Sequence, residues 1–213
     1  MRCDKKDLLL YGVTDRSWLG DRTLAQQVEA SLRGGATMIQ LREKHMDRGS
    51  ILAQALELRE LCGRYGVPLI LTDDAELAQA AGADGVHVGQ SDMEAGRVRA
   101  LLGEDKLIGV SARTVEQALA AQAAGADYLG VGAMFPTGTK QDTRPVSYDT
   151  LKAICAAVDI PVVAIGGIGA GNVAELAGSG IAGVAVVSAL YAQPDVEAAT
   201  RSLRAQVERV VGP

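Results

Sequence analysis

VPLILTDDAELAQAAGADGVHVGQ, residues 67–90, reads as one complete strand–helix–strand unit. Its opening run, VPLILTD (67–73), is almost continuously apolar, the pattern of a strand covered on both faces. The Ala/Leu-rich segment behind it is amphipathic and ends at Gly82, which can take the left-handed conformation that closes a helix. A second β-rich run, ADGVHV, begins at once. Strands buried on both sides and joined through a helix imply a parallel sheet.

The same joint recurs along the chain. GGATMIQLRE from Gly34, AGADYLGVGA from Ala124 and GSGIAGVAVVS from Gly178 each place Gly at the end of a helical pattern and a short strand after it. The joints are spaced by about 45 to 55 residues, and each interval holds one more strand-plus-helix pattern. The strands between are LLLYGVTD (8–15), VPLILTD (67–73), KLIGVS (106–111) and IPVVAIGG (160–167). Together they predict eight strands alternating with helices: an α/β chain, residues 1–213, folded as one (β/α)8 TIM barrel domain. The alternative is a doubly wound open sheet, but the first turn, VTDRSWLGDRT (13–23), lacks the GxGxxG that a dinucleotide site would need.

Composition narrows the function. Apolar residues make up 48% of the 213, enough for a large core, while aromatics are only 3% and the net charge is −5. That argues against a stacking surface for bases and against a polyanion binder, so phosphate must be caught by a few local cations. Cys3, Cys62 and Cys155 form no CxxC pair and are expected to be reduced thiols in a cytoplasmic protein. MRCDKKDLLLYGV is too charged and too briefly apolar for a signal peptide, and no run reaches the length of a membrane span. With only two histidines, a His/Cys zinc site is not expected.

In a (β/α)8 barrel the chemistry sits at the C-terminal strand ends. The second strand ends in QLREK, where alternation puts Gln40, Arg42 and Lys44 on one face and Leu41 and Glu43 on the other. The third ends in LTDD. Asp73 with Glu76 fits a capping box, and Asp74 could cap equally well. Yet Asp92, in HVGQSD at the end of the next strand, offers a second carboxylate beside those cations. Two carboxylates completed by water and substrate phosphate make a Mg²⁺ site. His87 lies within its strand and reads as a satisfied core histidine. The loop PTGTKQDTRP (136–145) presents Thr137, Thr139 and Lys140, and its length suits binding or covering a ligand. Gly166 and Gly167, then Ser188, fit the phosphate cradle that loops seven and eight often form in this fold. No Ser-His-Asp or Cys-His set appears.

YGVTDR, QLREK, the paired acids after strand three, ADGVHVGQSD, IGVS, ADYLGVG, PTGTK, IPVVAIGGI and GVAVVSA follow one another as in the thiamine-phosphate synthase family, which the chain resembles from about Leu9 to Ala192. The resemblance implies a (β/α)8 barrel, a transferase of thiamine biosynthesis that uses Mg²⁺. Such an enzyme joins 4-amino-2-methyl-5-(diphosphooxymethyl)pyrimidine to a thiazole, or carboxythiazole, ethyl phosphate. The products are thiamine phosphate and pyrophosphate. By resemblance, Gln40, Arg42 and Lys44 would hold the pyrimidine diphosphate, with Ser111 and Lys140. Asp73 and Asp92 would bind Mg²⁺. Thr137, Gly138, Thr139 and Gly167 would contact the thiazole phosphate, and Val187 and Ser188 would cradle its phosphate. Arg42, Lys44, Ser111 and Lys140 would be catalytic.

One position departs from the family pattern. Asn usually precedes the first of the two acids, and here it is Thr72, which offers one hydroxyl in place of an amide. The expected consequence is weaker or re-angled pyrimidine binding. Expected partners are the two small molecules, with neither nucleic acid nor membrane, and a homo-oligomer is compatible with this reading. Two other readings compete with the synthase: a thiazole tautomerase-like isomerase on the same barrel, and a non-catalytic thiamine-phosphate-binding regulator.

Overall fold

The computed structural model describes residues 3–138 and 145–212. Eight parallel strands close a barrel in chain order, the eighth pairing back on the first. They are β1 (Leu10–Val13), β2 (Met38–Leu41), β3 (Leu69–Thr72), β4 (Gly85–Val88), β5 (Leu107–Ala112), β6 (Tyr128–Val131), β7 (Val162–Ile165) and β8 (Gly183–Val186). Around them run α1 (Leu24–Gly34), α2 (Arg48–Tyr65), α3 (Ala75–Ala81), α4 (Ala95–Leu102), α5 (Val115–Ala123) and α6 (Tyr148–Ala157), with α7 (Ser188–Tyr191) and α8 (Val196–Val211) after β8. Each expected strand is present. None of the helices among the described residues is long and apolar enough to cross a membrane.

Period-two alternation sorts the strand side chains into two cores. Leu10, Ile39, Leu41, Leu69, Leu71, Ile108 and Leu129 face outward and pack with the helices. Tyr11, Val13, Met38, Ile70, Leu107, Tyr128, Val163 and Ala185 fill the barrel interior. Burying each large aliphatic side chain is worth about 1.5–3 kcal/mol, so both layers contribute.

The recurrent joint has a physical basis beyond the glycine. Gly35 and Gly82 close α1 and α3 in the left-handed region, at φ 99° and 62°. Two residues later the chain carries Thr37 or Asp84, and Asp127 holds the same place after α5. The N–H groups of these three residues donate to the carbonyls of Leu10, Leu69 and Ile108, at 2.8, 2.9 and 2.8 Å. Their side chains accept in return from the N–H of the same residues: Thr37 Oγ1 from Leu10 and Asp84 Oδ2 from Leu69, at 2.9 and 2.8 Å. Asp127 Oδ2 accepts from Ile108 at 2.8 Å. Each joint thus closes the start of the preceding strand with a two-bond ring. Arg99 reinforces the third, donating to Asp127 at 2.6 Å and to the carbonyls of Gly103, Lys106 and Gly125.

The fourth joint departs from expectation. No Gly-capped α-helix precedes β8; the chain makes a 3-10 turn, Val173–Leu176, and leaves it at Ala177. NVAELA is hemmed in by Gly169, Gly171, Gly178 and Gly180, and so short a run cannot meet the cost of nucleating an α-helix. Ala182 stands where the other joints carry Thr or Asp, and its N–H alone bridges, to Val162 at 2.8 Å. Helix α8 packs on the turn and covers the gap.

The two acids of LTDD separate cleanly. Asp74 is the N-cap of α3, accepting from Leu77 N–H at 2.8 Å, and Arg48 bridges Asp74 and Glu76 at 3.3 and 3.0 Å. The Asp73–Glu76 capping box therefore does not form. Asp73 instead sits at φ 65°, left-handed backbone that Asp tolerates better than most residues, while its N–H extends the ladder to His87 carbonyl at 2.8 Å. The cysteines are free, and burial pushes the Cys3 and Cys62 thiols up to about 12 and Cys155 to about 11.

Two outcomes follow for stability. Asp127→Ala strands both the Ile108 N–H and the Arg99 guanidinium, and should lower the unfolding free energy in urea by about 2–3 kcal/mol. Asp74→Ala removes one cap and should cost about 1 kcal/mol in the same measurement while leaving turnover intact.

Candidate active site

Six inward side chains, one from each of β1 to β6, form a continuous hydrogen-bonded chain across the barrel. Thr72 Oγ1 donates to Gln40 Oε1 at 3.0 Å, and Gln40 Nε2 donates to Tyr11 Oη at 2.7 Å. Tyr11 Oη lies 2.9 Å from Tyr128 Oη, which is 3.2 Å from His87 Nδ1. His87 Nε2 reaches Ser111 Oγ at 3.0 Å. The two tyrosine rings meet edge to face, with centroids 6.0 Å apart and planes at 70°.

The chain lies where the packed interior gives way to the mouth. Gln40 is 6% exposed and the two tyrosines are fully buried. Burial pushes both phenols well above their usual range, so they stay protonated and able to donate. Room for the rings comes from Gly109 and Gly130. A Cβ on Gly109 would run into the Tyr128 ring and lie 2.5 Å from His87 Nδ1; one on Gly130 would lie 2.9 Å from His87 Cε1.

Beyond Gln40, the QLREK segment leaves the sheet. Arg42 N–H donates to the buried Thr14 hydroxyl at 3.0 Å, and its guanidinium is 3.8 Å from Asp15, which stands just past β1. Glu43, nearly buried, is held by Arg16 at 2.7 Å, and Lys44 is exposed. The structure therefore places Gln40 in the floor of the mouth, with Arg42 partly buried just past β2 and Lys44 exposed.

Asp73 and Asp92 follow two neighbouring strands, β3 and β4. Asp92 Oδ2 accepts from Gly89 N–H at 2.7 Å, which fixes that carboxylate in its turn. Among the described residues there is no group of three or more His, Cys, Asp or Glu able to hold a metal. A two-carboxylate oxygen donor set fits a hard cation that keeps waters and borrows phosphate oxygens, and does not fit a closed protein cage.

The opposite rim comes from loops six to eight. Phe135 N–H donates to Gly166 carbonyl and Met134 N–H to Ile165 carbonyl, both at 3.0 Å. Gly167 is at φ 67°, and a Cβ there would lie 2.5 Å from the Pro136 carbonyl. The glycine pair is thus required by the close approach of the β6 loop, whatever else binds there. Thr137 and Gly138 extend from that loop; Thr139 and Lys140 lie outside the described residues. Asn172 pins the β7 loop, donating to Gly167 carbonyl and accepting from Gly169 N–H, both at 2.9 Å. Val187 begins α7, its carbonyl taking the N–H of both Leu190 and Tyr191, so Ser188 stands in the first turn.

Sequence reasoning missed Tyr11, Tyr128 and Asn172, and took His87 as a satisfied core residue; it is partly buried, with its ring nitrogens on Tyr128 and Ser111. The available signal was the scarcity of aromatics: two of only five tyrosines fall on inward strand positions.

Comparison with known proteins agrees with this fold. The family model described as thiamine monophosphate synthase matches residues 10–190. The thiamine-phosphate synthase of Ruminiclostridium cellulolyticum is 48% identical over 199 residues, covering 93% of this chain and 95% of its own. That of Chloroflexus aurantiacus is 50% identical over 202 residues, covering 94% and 93%. Among solved structures, the thiamine phosphate pyrophosphorylase from Pyrococcus furiosus superposes with a TM-score of 0.90 at 38% identity, covering 98% of this chain and 99% of that one. With the fold, the family match and these relatives in agreement over nearly the whole length, the chain belongs to the thiamine monophosphate synthase family.

Proposed function

We propose that this transferase joins an aminopyrimidine-methyl diphosphate to a thiazole or carboxythiazole ethyl phosphate, using Mg²⁺, with residues 1–213 acting as one domain in the cytoplasm. The observation that carries the reading is the division of one mouth into two unlike rims. Arg42, Lys44 and two carboxylates stand on the β2–β4 side, suited to a metal-bound diphosphate. The β6–β8 side offers glycine backbone, hydroxyls and a helix start, suited to a monophosphate. Two phosphorylated ligands can then face each other across the barrel axis.

In this reading Gln40 holds the pyrimidine, while Arg42, Lys44, Ser111 and Lys140 meet the charge that grows on the departing pyrophosphate. Asp73 and Asp92 would hold Mg²⁺, which when bound supplies Lewis-acid stabilisation of the leaving group. Cleavage of the C–O bond leaves a pyrimidine-methyl cation fed by the ring amino group. The thiazole nitrogen, positioned by Thr137, Gly138, Thr139 and Gly167 and by its phosphate on Val187 and Ser188, then closes the C–N bond. No proton moves in that step, so no general base is required; a carboxylated acceptor must in addition lose CO2 and take up a proton at the carbon that bore it. Holding both partners in one water-poor mouth supplies the entropic advantage and shields the cation from water.

The isomerase alternative needs neither the carboxylate pair nor the β2 cations, and relatives named as synthases give it no support.

Mixing the protein with both substrates and Mg²⁺ should release pyrophosphate, and chelation should abolish the release. Asp73→Asn keeps a residue that tolerates φ 65° while removing the charge, and should lower kcat on the order of 100-fold without lowering the thermal midpoint. Metal-independent release, or wild-type turnover by this variant, would count against the assignment. Thr72→Asn should lower the KM for the pyrimidine substrate by roughly two- to tenfold, the worth of one hydrogen bond, in steady-state kinetics.

A further inference from the structure

We infer that the six-residue chain has one proton order, which fixes His87 as the Nε2–H tautomer and turns the Ser111 hydroxyl into a donor facing the mouth. His87 is on this account a positioning residue for Ser111. The assignment of Ser111 to the diphosphate rests on the synthase reading; the tautomer does not.

The argument is one of counting protons. With His87 a neutral imidazole, every link of the chain can be satisfied in just two directions. In the first, Thr72 donates to Gln40 Oε1, Gln40 Nε2 to Tyr11, Tyr11 to Tyr128 and Tyr128 to His87 Nδ1. His87 Nε2–H then donates to Ser111, whose own proton is left over. In the second, every arrow reverses. Ser111 spends its proton on His87 Nε2, the Gln40 amide is turned over, and Thr72 donates only to the Leu41 carbonyl, 3.0 Å away. A mixed order would make two donors face each other or leave a buried phenol O–H without an acceptor, at the cost of an unmade hydrogen bond.

Gln40 chooses between the two. Its Oε1 faces Thr72 and its Nε2 faces Tyr11, which is the first order. Ligand chemistry agrees. A diphosphate oxygen needs donors, and in the second order Ser111 would present only lone pairs to an anion. The buried phenols hold their protons, so ionisation does not break the relay. Thr72, at the far end, thereby acts on Ser111 through four intervening side chains.

The chain has only two histidines, so ¹⁵N-histidine labelling gives two imidazoles, and His45→Gln assigns them. In the ligand-free wild type, His87 should show a protonated Nε2 and an unprotonated, hydrogen-bonded Nδ1. Tyr128→Phe removes the donor to Nδ1 and should give a mixture of tautomers; Tyr11→Phe leaves Nδ1 as the one acceptor for the buried Tyr128 proton and should keep Nε2–H. A wild-type Nδ1–H or doubly protonated imidazole, or an Nε2–H tautomer unmoved by Tyr128→Phe, overturns the proposal, and the wild-type spectrum decides alone if the variants do not fold. For the ligand half, calorimetry with inorganic pyrophosphate and Mg²⁺ should show Tyr128→Phe weakening binding by roughly two- to tenfold. In a Ser111→Ala background it should add nothing further. Additive losses, or no pyrophosphate binding by the wild type, overturn the role given to Ser111. Failure of the synthase reading would show separately, as no coupling of the two substrates by a protein that still has the expected tautomer.

Discussion

Closing a parallel sheet on itself forces every second side chain of every strand into a space open only at its ends. In this barrel that constraint sets the rest. Deep in the interior the inward positions are apolar, with Met38, Ile70, Leu107 and Val163 packed together. One layer nearer the mouth they turn polar, and a polar group there must find partners among its neighbours or lose its hydrogen bonds to no return. The chain from Thr72 to Ser111 is the solution reached. It satisfies the side chains that separate core from site, and it makes the site floor a single connected object.

The same constraint explains how much of the fold could be read from sequence. Alternation and the Gly-ended joints locate all eight strands, because burial on both faces leaves a continuous apolar signature that loops do not imitate. The helix expected before β8 failed for a local reason: glycines on both sides leave too few residues to nucleate. The third position of each joint, Thr37, Asp84 or Asp127, was visible as part of a repeated string, but its purpose was not. A side chain that closes a ring with the preceding strand is a through-space relation, and spacing along the chain carries no record of it.

The site divides along similar lines. Gln40 and Asp73 are legible because polar residues at the ends of apolar strands are conspicuous, whereas Ser111 is reached only through the family resemblance. The tyrosines are not, since a Tyr in a strand ordinarily contributes apolar bulk and its hydroxyl finds a partner only in three dimensions. Nor could sequence decide which acid of LTDD caps α3. The backbone decides it: once Asp73 takes φ 65° to keep its N–H on β4, Asp74 is the residue left in extended conformation at the helix start. Capping by Asp74 in turn relieves Asp73 of any helical duty.

Thr72 is where these threads meet. Its hydroxyl is turned toward Gln40 and Leu41. A hydroxyl has one proton for those two acceptors, whereas an amide in that place would carry two donors and an acceptor. The chain therefore begins here with a group whose single proton must choose. Donation to Gln40 holds the amide in the orientation that sends every later proton toward Ser111; donation to Leu41 alone lets the amide turn. One hydroxyl at Thr72 thus bears on another on the far side of the mouth. It does so without moving the backbone, because what passes along the chain is the direction of its hydrogen bonds.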